Sequence, residues 1–258
     1  MDGPHGAAVS AEDFGLKGPR GWAFQGVGFS AAPGTLVAVE GPSGSGRTCL
    51  LLALTGRMRA TSGRAEVGGE RLPGRLAAVR RFSALGPVPG VSELDPSLTV
   101  AEHLRERALL QRRFGASPRA LLRSRAVRAA TSRATVDTAL EAAGLDLAAL
   151  PKAERTSVRD LERLEALRLS VALALTGRPR LLAVDDTDLK LSPTERSQAW
   201  ELLRALAAGG TTVLAVCSEA PEDALTVHTR PAAGAARPAG GTTTEKETAD
   251  AIAETGRA

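Results

Sequence analysis

No apolar run in the sequence approaches the roughly 18 residues that a membrane-crossing helix needs. The N-terminus also lacks the apolar core of a secretory leader. Work at a membrane would therefore need another chain to provide the span. Cysteine is scarce. Cys49 and Cys217 each lie inside an apolar stretch with no paired spacing, which argues against a disulfide framework and for reduced, cytosolic residues. Lysine occurs only at Lys17, Lys152, Lys190 and Lys246, so arginine supplies the net charge of +4. An arginine-for-lysine bias in an Ala/Gly-rich chain reflects genome composition, and this discounts the basic charge as a sign of nucleic-acid binding. No internal repeat is present.

What the chain does have is room for one sizeable α/β domain: 258 residues, 43% hydrophobic and 24% charged. Three apolar runs, Thr35–Glu40, Leu181–Val184 and Thr211–Val216, have the length of strands buried on both faces of a parallel sheet. Ser192-Pro193-Thr194-Glu195 predicts a capped helix start, running through Trp200 to Ala208 and stopping at Gly209-Gly210. Strand, helix and strand in alternation predict a doubly wound α/β core. From about Val91 to Leu164 no strand-like run occurs, and this middle reads as wholly helical, with Thr99–Glu102 as a second capping box. The ends lack periodicity and read as disordered tails. The expected layout is a tail over 1–12, a domain over 13–230 with a helical subdomain at about 91–166, and a tail over 231–258.

The strongest chemical signal follows the first apolar run. Gly41-Pro42-Ser43-Gly44-Ser45-Gly46-Arg47-Thr48 stands between a strand and a helix, the context in which a phosphate-binding loop works. Glycines let several backbone N–H groups converge on one anion, and the following helix adds the positive end of its dipole. Thr48 places a hydroxyl where a Mg²⁺ on the phosphates sits. The usual pattern has lysine at the position of Arg47.

At this point the chain resembles the ATP-binding domains of ABC transporters. Pro33 to Thr48 is similar to that family's entry into its phosphate loop, and Thr61-Ser62-Gly63, Gly68-Gly69 and Leu98–Leu104 follow as landmarks in the right order. Ala172–Asp186 resembles the helix and second acidic strand, and Gly210–Val216 the strand after it. Together these cover about residues 14 to 220. The resemblance implies a P-loop NTPase core with a mostly parallel sheet, an antiparallel β edge and a helical subdomain. It implies ATP and Mg²⁺ as cofactors, with Thr48 and Asp185 holding the metal and residues 41–48 holding phosphate. It also implies an integral membrane, permease-like partner and a second nucleotide-binding domain, with the chain cytoplasmic and peripheral at the inner face of the membrane.

Departures from the family pattern are equally informative. Arg47 keeps the charge of the family's lysine but is bulkier and planar. Asp186 stands where a glutamate polarises the attacking water, one methylene shorter; it reads either as a shortened base or as a solvated strand-end acid. The signature loop that would cap a partner's γ-phosphate becomes Leu161-Glu162-Arg163-Leu164-Glu165. The sensing glutamine falls near Gly90, the switch histidine at Ser218, and the aspartate of the loop after the acidic strand at Ser192. An aromatic for adenine is expected near Gly18; Trp22 is the substitute, or a packing residue. Nine arginines from Arg105 to Arg133 form a basic stretch, read as a solvated helix face or as a surface for acidic coupling segments or anionic lipid. With Phe114 its only interleaved aromatic, RNA is the weaker reading. Two functions fit: an ATP-binding subunit with slow or partner-dependent hydrolysis, or a pseudo-ATPase scaffold on a membrane protein. A phosphate-loop kinase fits the landmark order less well.

Overall fold

Two sheets organise the chain, which the computed structural model describes over residues 5–19, 21–114 and 124–229. The first is antiparallel, with strands β1 (Val9–Gly18), β2 (Gly21–Ala31), β4 (Ser62–Val67) and β5 (Glu70–Leu72) in the order β2-β1-β4-β5. The second is parallel: β3 (Leu36–Glu40), β6 (Ser83–Leu85), β7 (Leu181–Val184), β8 (Thr212–Cys217) and β9 (Leu225–His228) lie in the order β6-β7-β8-β3-β9. The three apolar runs are its central strands. Their side chains alternate between two cores, which is why each run is apolar throughout. Leu36 and Ala38 of β3 face one core; Val37 and Val39 face the other.

Helix α1 (Arg47–Leu54) lies in the second of these cores. Its Leu50, Leu51 and Leu54 are fully buried with Phe14 and Phe24 of the antiparallel sheet and with Leu181 and Leu214 of the parallel one. The short helix α2 (Leu76–Phe82) leads into the edge strand β6. On the opposite face pack α3 (Val100–Phe114), α4 (Arg125–Ala142), α5 (Arg163–Leu175) and α6 (Pro193–Ala208). α6 is capped as expected, with Ser192 Oγ accepting the Glu195 N–H and the Glu195 carboxylate returning to the Ser192 N–H at 2.8 Å. The Thr99–Glu102 box opens α3 in the same way.

Two expectations need correction. Residues 5–12 are not a disordered tail: Ala7 is fully buried and Val9 already pairs with Ala31 and Val67. The period-2 signal there is Ala7, Val9 and Ala11, two of them alanines and too small to stand out beside the glycines and charges. The middle is not wholly helical either. Between α4 and α5 the chain makes only three short 3-10 turns, at Leu147–Ala149, Ala153–Arg155 and Val158–Asp160. The tail over 231–258 lies outside the described residues, as do Arg119 and Arg123 of the basic stretch.

One side chain fixes the turn after α1 to the edge strand β6. Arg57 Nη1 donates to Thr55 O (2.8 Å) and Ser83 Oγ (2.9 Å), while Nη2 donates to Ser83 O (3.1 Å). Burial, with Arg80 and Arg107 nearby, lowers the guanidinium pKa to about 10. Its bonds go to neutral oxygens; removing it takes a donor from Ser83 O and leaves Thr55 O the Ser83 hydroxyl at 3.1 Å. Arg57→Ala is expected to cost about 2 kcal/mol in a urea titration. Arg57→Lys, without a planar fork, should recover less than half of that.

Candidate functional site: a phosphate cradle between strand ends

β3 ends at Glu40 and the chain turns through residues 41–46 into α1. Ser45 N–H donates to Pro42 O at 3.1 Å, closing the turn. Gly46, the N-cap of α1, has φ +83°, and a Cβ there would lie 2.0 Å from Ala23 O of β2. Only glycine satisfies both conditions. Pro42, Ser43 and Gly44 form the exposed crown of the loop. No side chain caps α1 and its first turn holds no acid, so its leading N–H groups are not taken by a side-chain cap and meet no negative charge from that turn.

The loop is tied to the ends of three strands. Thr48 Oγ1 donates to Asp185 Oδ2 (2.6 Å), the residue just past β7. Ser45 Oγ lies 2.6 Å from Thr229 Oγ1, just past β9. Arg47 Nη1 donates to Cys217 O (2.6 Å), at the end of β8. The parallel sheet thus gathers its carboxyl ends around the loop, where open α/β sheets place their ligands.

Asp185 is 2% exposed. Burial raises its pKa, opposed by hydrogen bonds from Thr48 Oγ1 and the Asp186 N–H, the latter at 2.9 Å to Oδ1. Asp186 is half-buried at φ +49°, a left-handed conformation that non-glycine residues rarely adopt. Both carboxylates line a cleft of about 400 Å³ with Pro87, Pro89, Arg163 and Ser170. Asp185 N–H donates to Pro87 O at 2.9 Å, which brings the turn around Gly90 up to this strand end. Among the described residues no group of three or more His, Cys, Asp or Glu could hold a metal. One hydroxyl and one carboxylate nevertheless fit Mg²⁺, which keeps waters and takes its other oxygens from substrate phosphates.

Other sequence-derived positions fall farther from the loop or are occupied. Trp22 lies on β2 beside Ala23, with Lys17 Nζ 5.7 Å from its ring centroid. Its ring packs across the β1–β2 hairpin against Gly15. Glu162 is the N-cap of α5, and its N–H donates to the Glu165 carboxylate at 2.8 Å, so this helix start is capped by the chain's own acids. Ser192 serves as a helix cap.

Sequence reading missed three participants. Thr229, 3% exposed, braces the loop from beneath. Cys217 contributes a backbone carbonyl, which no side-chain pattern announces. Asp188, 6% exposed, accepts the N–H groups of Ser218 (2.8 Å) and Glu219 (3.3 Å) through Oδ2. Its place in the run Asp185-Asp186-Thr187-Asp188 was a usable signal, since a third acid so close to two others needs partners.

Residues 24–188 match the family model described as ABC transporter. The chain is 35% identical over 189 residues to Nod factor export ATP-binding protein I of Paraburkholderia xenovorans, covering 73% of this chain and 55% of that protein. It is 34% identical over 189 residues to the protein of the same name from Ralstonia nicotianae, covering 73% and 52%. The chain thus spans about half the length of the curated relatives it matches. Its fold is that of a dimeric ATP-binding cassette solved in a post-hydrolysis state with ADP and Pi, at TM-score 0.62 and 21% identity, covering 82% of this chain and 88% of that one.

Proposed function

Because the chain belongs to the ABC transporter family of ATP-binding domains, we propose that it binds Mg-ATP at residues 41–48 and hydrolyses it weakly or only beside a partner. The observation that carries this reading is the Thr48–Asp185 pair, set beside a helix start that no side chain caps. The N–H groups of residues 44 and 46–48 receive the phosphates, and the Arg47 guanidinium adds its charge at the loop's inner edge. Thr48 and Asp185 hold Mg²⁺. What Mg²⁺ supplies when bound is neutralisation of phosphate charge. Trp22, the neighbour of the Ala23 whose carbonyl lies against Gly46, is the aromatic proposed for adenine, although its ring also packs against Gly15.

Weak turnover follows from the acids. Asp186 is a methylene shorter than the glutamate expected there, and a general base needs hydrogen-bond reach to its water. Glu162 and Glu165 at the start of α5 put negative charge where the resemblance calls for phosphate donors. These same acids favour a second reading, a nucleotide-binding scaffold without hydrolysis. In either case the transport partner is a separate membrane protein together with a second cassette, and the chain sits peripherally on the membrane's inner face. Among the described residues no helix is long and apolar enough to cross a membrane.

Titration of ATP with and without Mg²⁺ tests the binding. The expected result is Mg-dependent binding below millimolar concentration, weakened at least about tenfold by Arg47→Ala. No binding at millimolar ATP would end the proposal. For turnover, Asp186→Glu should raise the rate and Asp186→Asn abolish it. Equal rates in all three proteins would remove Asp186 as the base and leave the scaffold reading.

A further inference from the structure

We propose that Asp188 is a positioning residue for the Arg47 guanidinium, acting across a single peptide group. The proposal rests on the nucleotide reading above and extends it to a residue outside the phosphate loop. The carbonyl of Cys217 and the N–H of Ser218 belong to one peptide unit, and in a trans peptide they point in opposite directions. Arg47 Nη1 donates to that carbonyl at 2.6 Å; the Asp188 carboxylate accepts that N–H at 2.8 Å. One rigid plane is therefore held between a cation on the phosphate loop and a buried anion on the loop after β7.

Three features make this more than a chance contact. Asp188 is 6% exposed and forms no ion pair among the described residues; its carboxylate accepts the backbone N–H groups of 218 and 219 and, at 3.5 Å, the Ser218 hydroxyl. A carboxylate at the N–H end polarises the peptide and strengthens the bond at its carbonyl end. Cys217 ends β8 in register with Glu40 of β3, which brings this peptide beside the start of the loop, and the N–H beyond the strand end is held by Asp188. With the plane set by Asp188, Arg47 keeps one N–H on Cys217 and turns its remaining donors to the cradle. A planar five-donor fork can do both, while a lysine ammonium in that place is a single point charge. Arginine at 47 and serine at 218 are then connected departures: without an imidazole at 218, Asp188 and the guanidinium hold the peptide from its two sides.

The test combines two measurements on the full chain: wild type, Asp188→Ala, Asp188→Asn, Arg47→Lys and the double variant Asp188→Ala/Arg47→Lys. The first is Mg-ATP affinity. Asp188→Ala should weaken binding about fivefold when Arg47 is present and less than twofold when Arg47→Lys is already in place, the non-additivity of residues acting through one another. Equal losses in both backgrounds would overturn the proposal. Asp188→Asn, which preserves volume, supplies the same comparison should Asp188→Ala fail to fold. The second measurement needs no nucleotide: solvent exchange of the Arg47 side-chain N–H signals in protein labelled with ¹⁵N-arginine, identified by their loss in Arg47→Lys. They should be protected in wild type and exchange at least about tenfold faster in Asp188→Ala. Unchanged exchange would sink the positioning role by itself. Absence of ATP binding by wild type would count against the nucleotide reading, leaving exchange to decide on Asp188.

Discussion

Gly46→Ala is expected to abolish nucleotide binding and to destabilise the domain by about 3 kcal/mol or more. Two costs coincide at this position. The backbone holds φ +83°, which an alanine adopts only with strain, and the new methyl would lie 2.0 Å from the carbonyl oxygen of Ala23. That oxygen belongs to backbone in a paired strand and has no rotamer through which to retreat. Either β2 or the start of α1 must move, and movement of α1 displaces the uncapped N–H groups proposed to receive phosphate. Gly44→Ala is the control. Gly44 also has positive φ, yet a Cβ there meets nothing within 4 Å, so strain alone should cost about 1 kcal/mol and leave weakened binding. Thermal melting and ATP titration of the two variants separate close approach from conformational strain. Equal effects would mean that the contact between β2 and the loop is unimportant.

The second large effect is a trade between stability and binding at Asp185. Its carboxyl is buried, and burial raises its pKa above the ordinary 3.8 despite the bond from Thr48. The folded state thus holds this proton more tightly than the unfolded chain does. Stability is lost as pH rises from about 3.8 through the raised folded value, and the full cost of ionisation is present at neutral pH. Asp185→Asn removes that cost: its Oδ1 still accepts the Asp186 N–H, and its Nδ2 donates to Thr48 Oγ1, whose hydroxyl changes from donor to acceptor. The variant should therefore be more stable than wild type at pH 7, with the difference closing below pH 3.8, and should lose at least about tenfold in Mg-dependent ATP affinity. Urea titrations across pH and nucleotide titrations with and without Mg²⁺ read the two halves separately. A variant less stable at pH 7 would show that the carboxylate serves the fold instead of a ligand.

Legibility of the fold varied with burial. β3, β7 and β8 are buried on both faces, so each wrote a continuous apolar run into the sequence. α3 and α6 were marked at their starts by reciprocal capping, a local interaction that needs no distant partner. β1 and β2 were harder to read. They mix buried Phe14 and Phe24 with exposed polar residues, and register shifts between Ala11 and Lys17 break the alternation on which strand reading depends. β9 is a four-residue edge strand with one buried side chain, Val227, too little for any periodic signal.

The candidate site divides along the same line. Gly41 to Thr48 was legible from the order of residues, because glycines ahead of a hydroxyl in that spacing let a strand–loop–helix turn meet an anion, and the Asp185–Asp186 pair was legible through the family resemblance. Tertiary structure alone decided what holds that turn from outside: Thr229 under Ser45, the Cys217 carbonyl on Arg47, and Asp188 behind the same peptide. These contacts join positions 184, 170 and 30 residues apart. One partner is a backbone oxygen, identical in every residue, and the others become neighbours only when the parallel strands align their carboxyl ends. A linear sequence carries the chemistry of each group but not the convergence of the sheet.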